Sequence, residues 1–296
     1  MDAAPTPFAE LSQVLEILAP ARQTTCVVFA SPHSGTAYPP EFVASSALDA
    51  ATLRKSEDSF VDELFASAPM AGAPLLRALF PRAYLDPNRE PWELDPQMFE
   101  DALPESANTR SARVMAGLGT IPRVVATGAE IYRGKLRFAE AERRIRTLYD
   151  PYHEALRELV ESTRARFGCC LLVDCHSMPS AGRGDVAAGV GAVDMVVGDC
   201  FGTACAPLVT DTVERSLRGQ GYRVLRNSPY AGGFTTRHWG RPAQGLHAVQ
   251  VEINRRLYMD EGLHRRSDGF AAVAAHVAAL VAALTAIPPA ELAIPR

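Results

Sequence analysis

Three stretches of this chain are almost uninterrupted in apolar residues, and each ends beside a residue capable of chemistry. TTCVVFA (24–30) runs into SPHSG, LLVDCH (171–176) ends on a histidine, and HAVQVEIN (247–254) carries a glutamate near its end. Apolar runs of this length, bounded by turn residues, predict strands buried on both faces. VDMVVGD (193–199) and YRVLRN (222–227) predict two more. PLLRALF and RAYLD predict short strands around 74–86, and PRVVAT (122–127) is a further candidate. Helical spacing of Phe60, Leu64 and Phe65 predicts a helix over 55–69 with Ser56 as N-cap. A long charged helix is expected over 137–167, kinked near Pro151, followed by one over 204–218 and an Ala/Val-rich helix near the C-terminus. Between them lie the proline-rich loop 86–96, an irregular stretch over 97–120 and a glycine-rich loop over 228–245, of the length that usually serves function.

Strands alternating with helices predict an α/β fold: a mostly parallel central sheet covered on both faces. With no repeat and no linker, residues 1–296 are expected to form a single domain, with Ala/Pro-rich 1–22 as a peripheral segment.

Composition narrows the function. The 296 residues are 47% hydrophobic, enough for a large core, and carry a net charge of −4, so no global field recruits nucleic acid or an anionic membrane. Arg143, Arg144 and Arg146 form a short basic cluster, expected as a solvated helix face. The C-terminal apolar stretch is interrupted by His276 and is read as a buried helix, not a membrane span. Six cysteines without a C-x₂-C pair, and a start lacking a basic n-region and an A-x-A site, suit a reduced, cytoplasmic protein.

His33 and His176 follow separate predicted strands. In an open α/β sheet the carboxyl ends of parallel strands line the ligand crevice. Two imidazoles delivered there suit a catalytic zinc ion, which takes neutral histidine nitrogens and keeps one position open. A third ligand has to come from elsewhere. Glu57 and Asp58 stand together at a predicted helix start, where a carboxylate either complements the helix dipole or reaches a metal; spacing does not choose between them. Glu252, in a buried strand, needs either a partner such as Arg255 or Arg256 or a role as a general base. Arg89, Arg133 and Arg237 (with His238) sit in loops shaped by proline or glycine, and their forked guanidinium groups suit carboxylates, pointing to a small anionic substrate. Other chemistries find no support: there is no G-x-S-x-G, Walker A or G-x-G-x-x-G. GRGDV (182–186) lacks a strand-to-helix frame for phosphate. Cys175, beside His176 on a strand, points to the opposite face as a buried structural thiol.

SPHSG (31–35) with YPP (38–40), SED (56–58) with VDEL (61–64), LDPNR (85–89), IYRG (131–134), DCHSMP (174–179), TRHWG (236–240) with PAQG (242–245), and VQVE (249–252) fall in order along about four-fifths of the chain. In these the chain resembles the N-formylglutamate amidohydrolase family. The resemblance implies a phosphorylase/hydrolase-like, three-layer α/β/α fold akin to the zinc carboxypeptidases. It implies one zinc ion per chain and hydrolysis of N-formyl-L-glutamate to formate and glutamate, a late step of histidine breakdown. Carried onto this sequence, His33, Asp58 and His176 become the metal ligands and Glu252 the base. The carboxypeptidases' H-x-x-E spacing is absent, because position 36 is Thr36. With that chemistry, Arg89 or Arg133 is expected to hold the oxyanion, and Arg237, His238 and Asn88 to help bind substrate. The alternatives are a metal-dependent deacylase or carboxypeptidase-like hydrolase of another N-acyl amino acid, and a non-catalytic protein that binds an acidic metabolite.

Overall fold

A computed structural model describes residues 13–180 and 193–294; the GRGDV stretch lies outside them, as does the start of the N-terminal segment. Seven strands form one sheet: β1 (Leu15–Leu18), β2 (Val27–Ser31), β3 (Leu75–Ala78), β4 (Cys170–Met178), β5 (Met195–Gly198), β6 (Val224–Arg226) and β7 (Leu246–Asn254). Their order across the sheet is β1-β3-β2-β4-β7-β5-β6. β2 pairs in parallel with β3 and β4, β4 with β7, and β5 with β6, while β5 runs antiparallel to β7. The expected α/β fold with a mostly parallel sheet is borne out. β4 and β7 are buried along all nine residues, as their apolar runs require.

The helices are α1 (Pro40–Ser45), α2 (Ala50–Leu53), α3 (Val61–Leu64), α4 (Ala112–Met115), α5 (Phe138–Arg144), α6 (Asp150–Phe167), α7 (Pro207–Gly219), α8 (Phe234–Trp239) and α9 (Phe270–Thr285). Between α5 and α6 the ladder widens into a π-turn over Ile145–Tyr149, just before Pro151, which has no N–H to continue it. Among the described residues no helix is long and apolar enough to cross a membrane.

The described residues fall into two compact units. Gly35–Glu57 and Ala78–Tyr152 form one; Glu16–Ser34, Asp58–Arg77 and the chain from His153 onward form the other. All of the sheet but Leu15 and Ala78 lies in the second. One of its faces buries Val27, Phe29, Leu171, Val173, Cys175, Val249, Val251 and Ile253 against Val61, Leu64 and Phe65 around α3, Val209 and Val213 of α7, and Val277 and Leu280 of α9.

Several local expectations are corrected. The helix predicted over 55–69 shrinks to α3, because Phe60 at its start takes a left-handed φ of 66°. Ser56 caps nothing there; it closes a 3₁₀ turn and accepts a hydrogen bond from the Ala126 N–H. RAYLD is a turn, and PRVVAT makes only an isolated bridge between Val124 and Glu130. The glycine-rich loop contains α8. Residues 15–18 form an unforeseen edge strand.

The basic cluster in the first unit is a solvated face only in part: Arg146 is 70% exposed, but Arg144 is buried. Arg144 is 2% exposed, its Cζ lies 3.8 Å from the Tyr84 ring centroid, and it donates to Glu140 Oε1 (2.7 Å), the Tyr132 hydroxyl (2.7 Å) and the Tyr84 carbonyl (3.0 Å). A buried guanidinium so paired anchors its surroundings, since removing it strands the partners that bind it. Arg144→Ala is therefore expected to lower unfolding stability by about 3 kcal/mol in urea titration. A loss under about 0.5 kcal/mol would restore the surface reading.

Candidate metal centre

Strand alternation sorts the chemistry onto one face. While Leu171, Val173 and Cys175 enter the apolar core, Asp174 and His176 point the other way, and Gln250 and Glu252 alternate likewise against Val249 and Val251. The parallel register sets His176 opposite Glu252 and Asp174 opposite Gln250. On the other side of β4, β2 ends at Ser31 and the chain turns to present His33. That turn is stitched to residues 58–62: the Asp58 N–H donates to the His33 carbonyl (3.0 Å), and the Ser34 hydroxyl donates to the Asp58 carbonyl (3.1 Å) while accepting from the Asp62 N–H (3.2 Å).

His33, Asp58 and His176 meet. Asp58 Oδ2 stands 3.2 Å from His33 Nδ1 and 3.1 Å from His176 Nδ1, and the two Nδ1 atoms are 3.1 Å apart. A tetrahedral ion with nitrogen or oxygen ligands at about 2.0–2.1 Å has ligand–ligand edges of about 3.3 Å, so the three atoms have nearly the spacing of one face of such a site. All three residues are buried. His176 Nε2 lies 2.9 Å from Asp174 Oδ1, an ion-pair contact at the ring nitrogen remote from the cluster. Arg255 Nη2 donates to the other Asp58 oxygen (2.9 Å) and Arg255 Nε to Ser177 Oγ (3.1 Å), so Asp58 offers Oδ2 in a fixed direction. This buried triad, with the Asp174 carboxylate against the other nitrogen of His176, could hold a metal ion.

Electrostatics agree. Burial pushes the His176 imidazole down, but Asp174, Asp58 and Glu252 outweigh it and hold the group well above the usual histidine range. Negative charge is concentrated where a cation or a proton answers it.

Backbone conformation separates the two adjacent carboxylates. Glu57 is extended (φ −65°, ψ 145°), so neighbouring side chains diverge. Glu57 accepts from the Tyr38 hydroxyl (2.7 Å) and from Arg54 (3.0 Å) in the first unit, whereas Asp58 turns to the histidines in the second. The helix start imagined for both is absent.

The remaining predicted residues are distributed as follows. Glu252 is buried on the face that carries His176, and its Oε1 accepts from Gln250 Nε2 (2.8 Å). Arg237 and His238 lie on α8 of the second unit, not in a loop; Arg237 is exposed and donates to the Gly232 carbonyl (3.0 Å), and His238 stacks on Phe234. Asn88, Arg89 and Arg133 belong to the first unit. Arg89 is buried and donates to the carbonyls of Leu118 and Asn88 (both 2.8 Å), Asn88 is buried in the same turn, and the exposed Arg133 lines a surface pocket with Arg123, Tyr132 and Lys135. Cys175 is fully buried, and burial followed by the Asp174 charge raises its thiol well above the usual range, as a structural cysteine requires. The reading of the sequence passed over Asp174 and Gln250 as contributors. Their signal was period two: D-x-H and Q-x-E put both members of each pair on one strand face.

Comparison with known proteins gives the family. The family model described as N-formylglutamate amidohydrolase matches residues 25–259. The chain belongs to the N-formylglutamate amidohydrolase family. It is 30% identical over 256 residues to an N-formylglutamate deformylase of Pseudomonas aeruginosa, covering 83% of this chain and 86% of that one. An N-formylglutamate deformylase of Pseudomonas putida is 26% identical, covering 79% and 82% of the two chains. Among solved structures, an N-formylglutamate amidohydrolase from Ralstonia eutropha superposes with a TM-score of 0.87 at 37% identity, covering 94% of this chain and 99% of the other.

Two outcomes follow for metal binding. Asp174→Asn is expected to weaken metal affinity by about 10–100-fold in a chelator competition, and unchanged affinity would show that Asp174 does not orient His176. Because the metal-free His176 is held protonated above its ordinary range, a metal ion has to displace that proton. Affinity should fall as pH falls, and calorimetry in two buffers of different ionisation enthalpy should show proton release; uptake without proton release would contradict this.

Proposed function

We propose that the protein is a zinc-dependent amidohydrolase that cleaves the formyl amide of N-formyl-L-glutamate, giving formate and L-glutamate. The observation that carries this reading is the buried His33–Asp58–His176 donor set on the sheet face that bears Glu252, in a chain of the N-formylglutamate amidohydrolase family. A single family domain over the whole chain is part of the reading, supported by a family match that includes residues of both units.

His33, Asp58 and His176 would hold the zinc ion, and one carboxylate with two neutral imidazoles would leave it a net positive charge. Zinc, when bound, supplies Lewis acidity toward the acyl oxygen and the attacking water. Glu252 is the base: its carboxylate takes a proton from the water as the C–O bond forms, then returns it to the departing glutamate nitrogen as the C–N bond breaks. Arg255 and Asp174 hold the ligands in place throughout. Arg237 and His238 serve the substrate's carboxylates from α8. Asn88 and Arg89 of LDPNR and Arg133 of IYRG serve as substrate residues, with Arg89 at the oxyanion.

The test is formate release from N-formyl-L-glutamate by the zinc-loaded protein, beside a panel of acetyl and longer acyl amino acids. Glu252→Gln should lower kcat by about 10²–10⁴-fold with zinc stoichiometry unchanged. Near-normal turnover would remove Glu252 from the mechanism, and faster turnover of another acyl amino acid would shift the assignment to a deacylase.

A further inference from the structure

Gln250 is buried in the middle of β7, and both ends of its amide are engaged. Its Oε1 accepts from the Gly233 N–H at 2.7 Å and its Nε2 donates to Glu252 Oε1 at 2.8 Å. The orientation of this amide is settled by chemistry: a backbone N–H can only donate, so the oxygen faces Gly233 and the NH₂ faces the carboxylate. A donor lodged on Oε1 disfavours a proton at that atom.

The segment at the other end of the amide is itself held tightly. The Cys200 N–H donates to the Ala231 carbonyl at 2.7 Å. A Cβ on Gly198 would lie 2.7 Å from the Ala231 carbonyl carbon and 2.8 Å from the Gly232 nitrogen, so only glycine permits this approach. Gly233 then opens α8, the helix that carries Arg237 and His238. One amide side chain therefore joins the start of that helix to the Glu252 carboxylate.

Resting on the proposed function of this same site, we infer that Gln250 is a positioning residue: it fixes the Glu252 carboxylate, directs the transferred proton to Oε2, and ties the base to the segment that opens α8. In the proposed reaction Oε2 takes the proton from the attacking water and returns it to the leaving nitrogen, while Oε1 stays bound to the amide. Nothing is oxidised or reduced, and the carboxylate ends the cycle ionised as it began.

Gln250→Leu and Gln250→Glu test this. Leucine removes both hydrogen bonds. Glutamate keeps an acceptor for Gly233 but cannot donate to ionised Glu252 until the introduced carboxyl is protonated. With metal content and melting temperature matched to wild type, Gln250→Leu should lose about 100-fold in kcat with little change in KM, as a misdirected base would. Gln250→Glu should be impaired at neutral pH and recover relative to wild type as the pH is lowered. Independently of turnover, hydrogen exchange at the Gly233 amide should be slow in wild type and accelerated in Gln250→Leu. Wild-type kcat in Gln250→Leu, a Gln250→Glu defect that does not change with pH, or unchanged Gly233 exchange would each overturn the inference. A wild-type protein that releases no formate from any formyl amino acid would sink the proposed function instead, and the exchange measurement would still decide the Gln250 link.

Discussion

Two imidazole nitrogens and a carboxylate oxygen, all buried, stand within 3.2 Å of one another. Lone pairs and negative charge at that separation, away from water, are tolerable only with positive charge between or beside them. Much of the second unit can be understood from that constraint. Arg255 answers one oxygen of Asp58 from the end of β7, Asp174 stands 2.9 Å from His176 Nε2, and the raised affinity of His176 for a proton is the same demand in another form. A divalent cation meets it more fully than a proton, because it accepts three donors at once.

The sheet makes this crowding possible at little cost in order. β2, β4 and β7 are parallel neighbours, so their carboxyl ends lie side by side and deliver His33, His176 and Glu252 to one region. The opposite face is an apolar core shared with α3, α7 and α9, which fixes the strands. Asp58 arrives by a different route, after the extended Glu57, whose side chain turns to Tyr38 and Arg54.

What was legible in the sequence follows the range of the forces involved. The long apolar runs of β4 and β7, and the histidines and glutamate at their ends, could be read because burial on both faces leaves a continuous local signature. The choice between Glu57 and Asp58 could not be read from spacing, since it depends on an extended backbone where a helix start was expected. Arg144 looked like surface because its aromatic and acidic partners, Tyr84, Tyr132 and Glu140, are mostly distant in sequence. α3 fell short of its predicted length because Phe60 leaves the helical region, a choice made by packing and not by propensity. The period-two pairs around His176 and Glu252 were present in the letters; only the face they share, revealed by the register of β4 and β7, turns them into supporting contacts.

The central claim is that His33, Asp58 and His176 hold one metal ion, and elemental analysis of the purified protein tests it most directly. The account predicts one zinc per chain in wild type after supplementation, and its loss in His33→Ala and in His176→Ala with the fold retained. Wild-type protein without stoichiometric metal, or variants that keep it, would contradict the account.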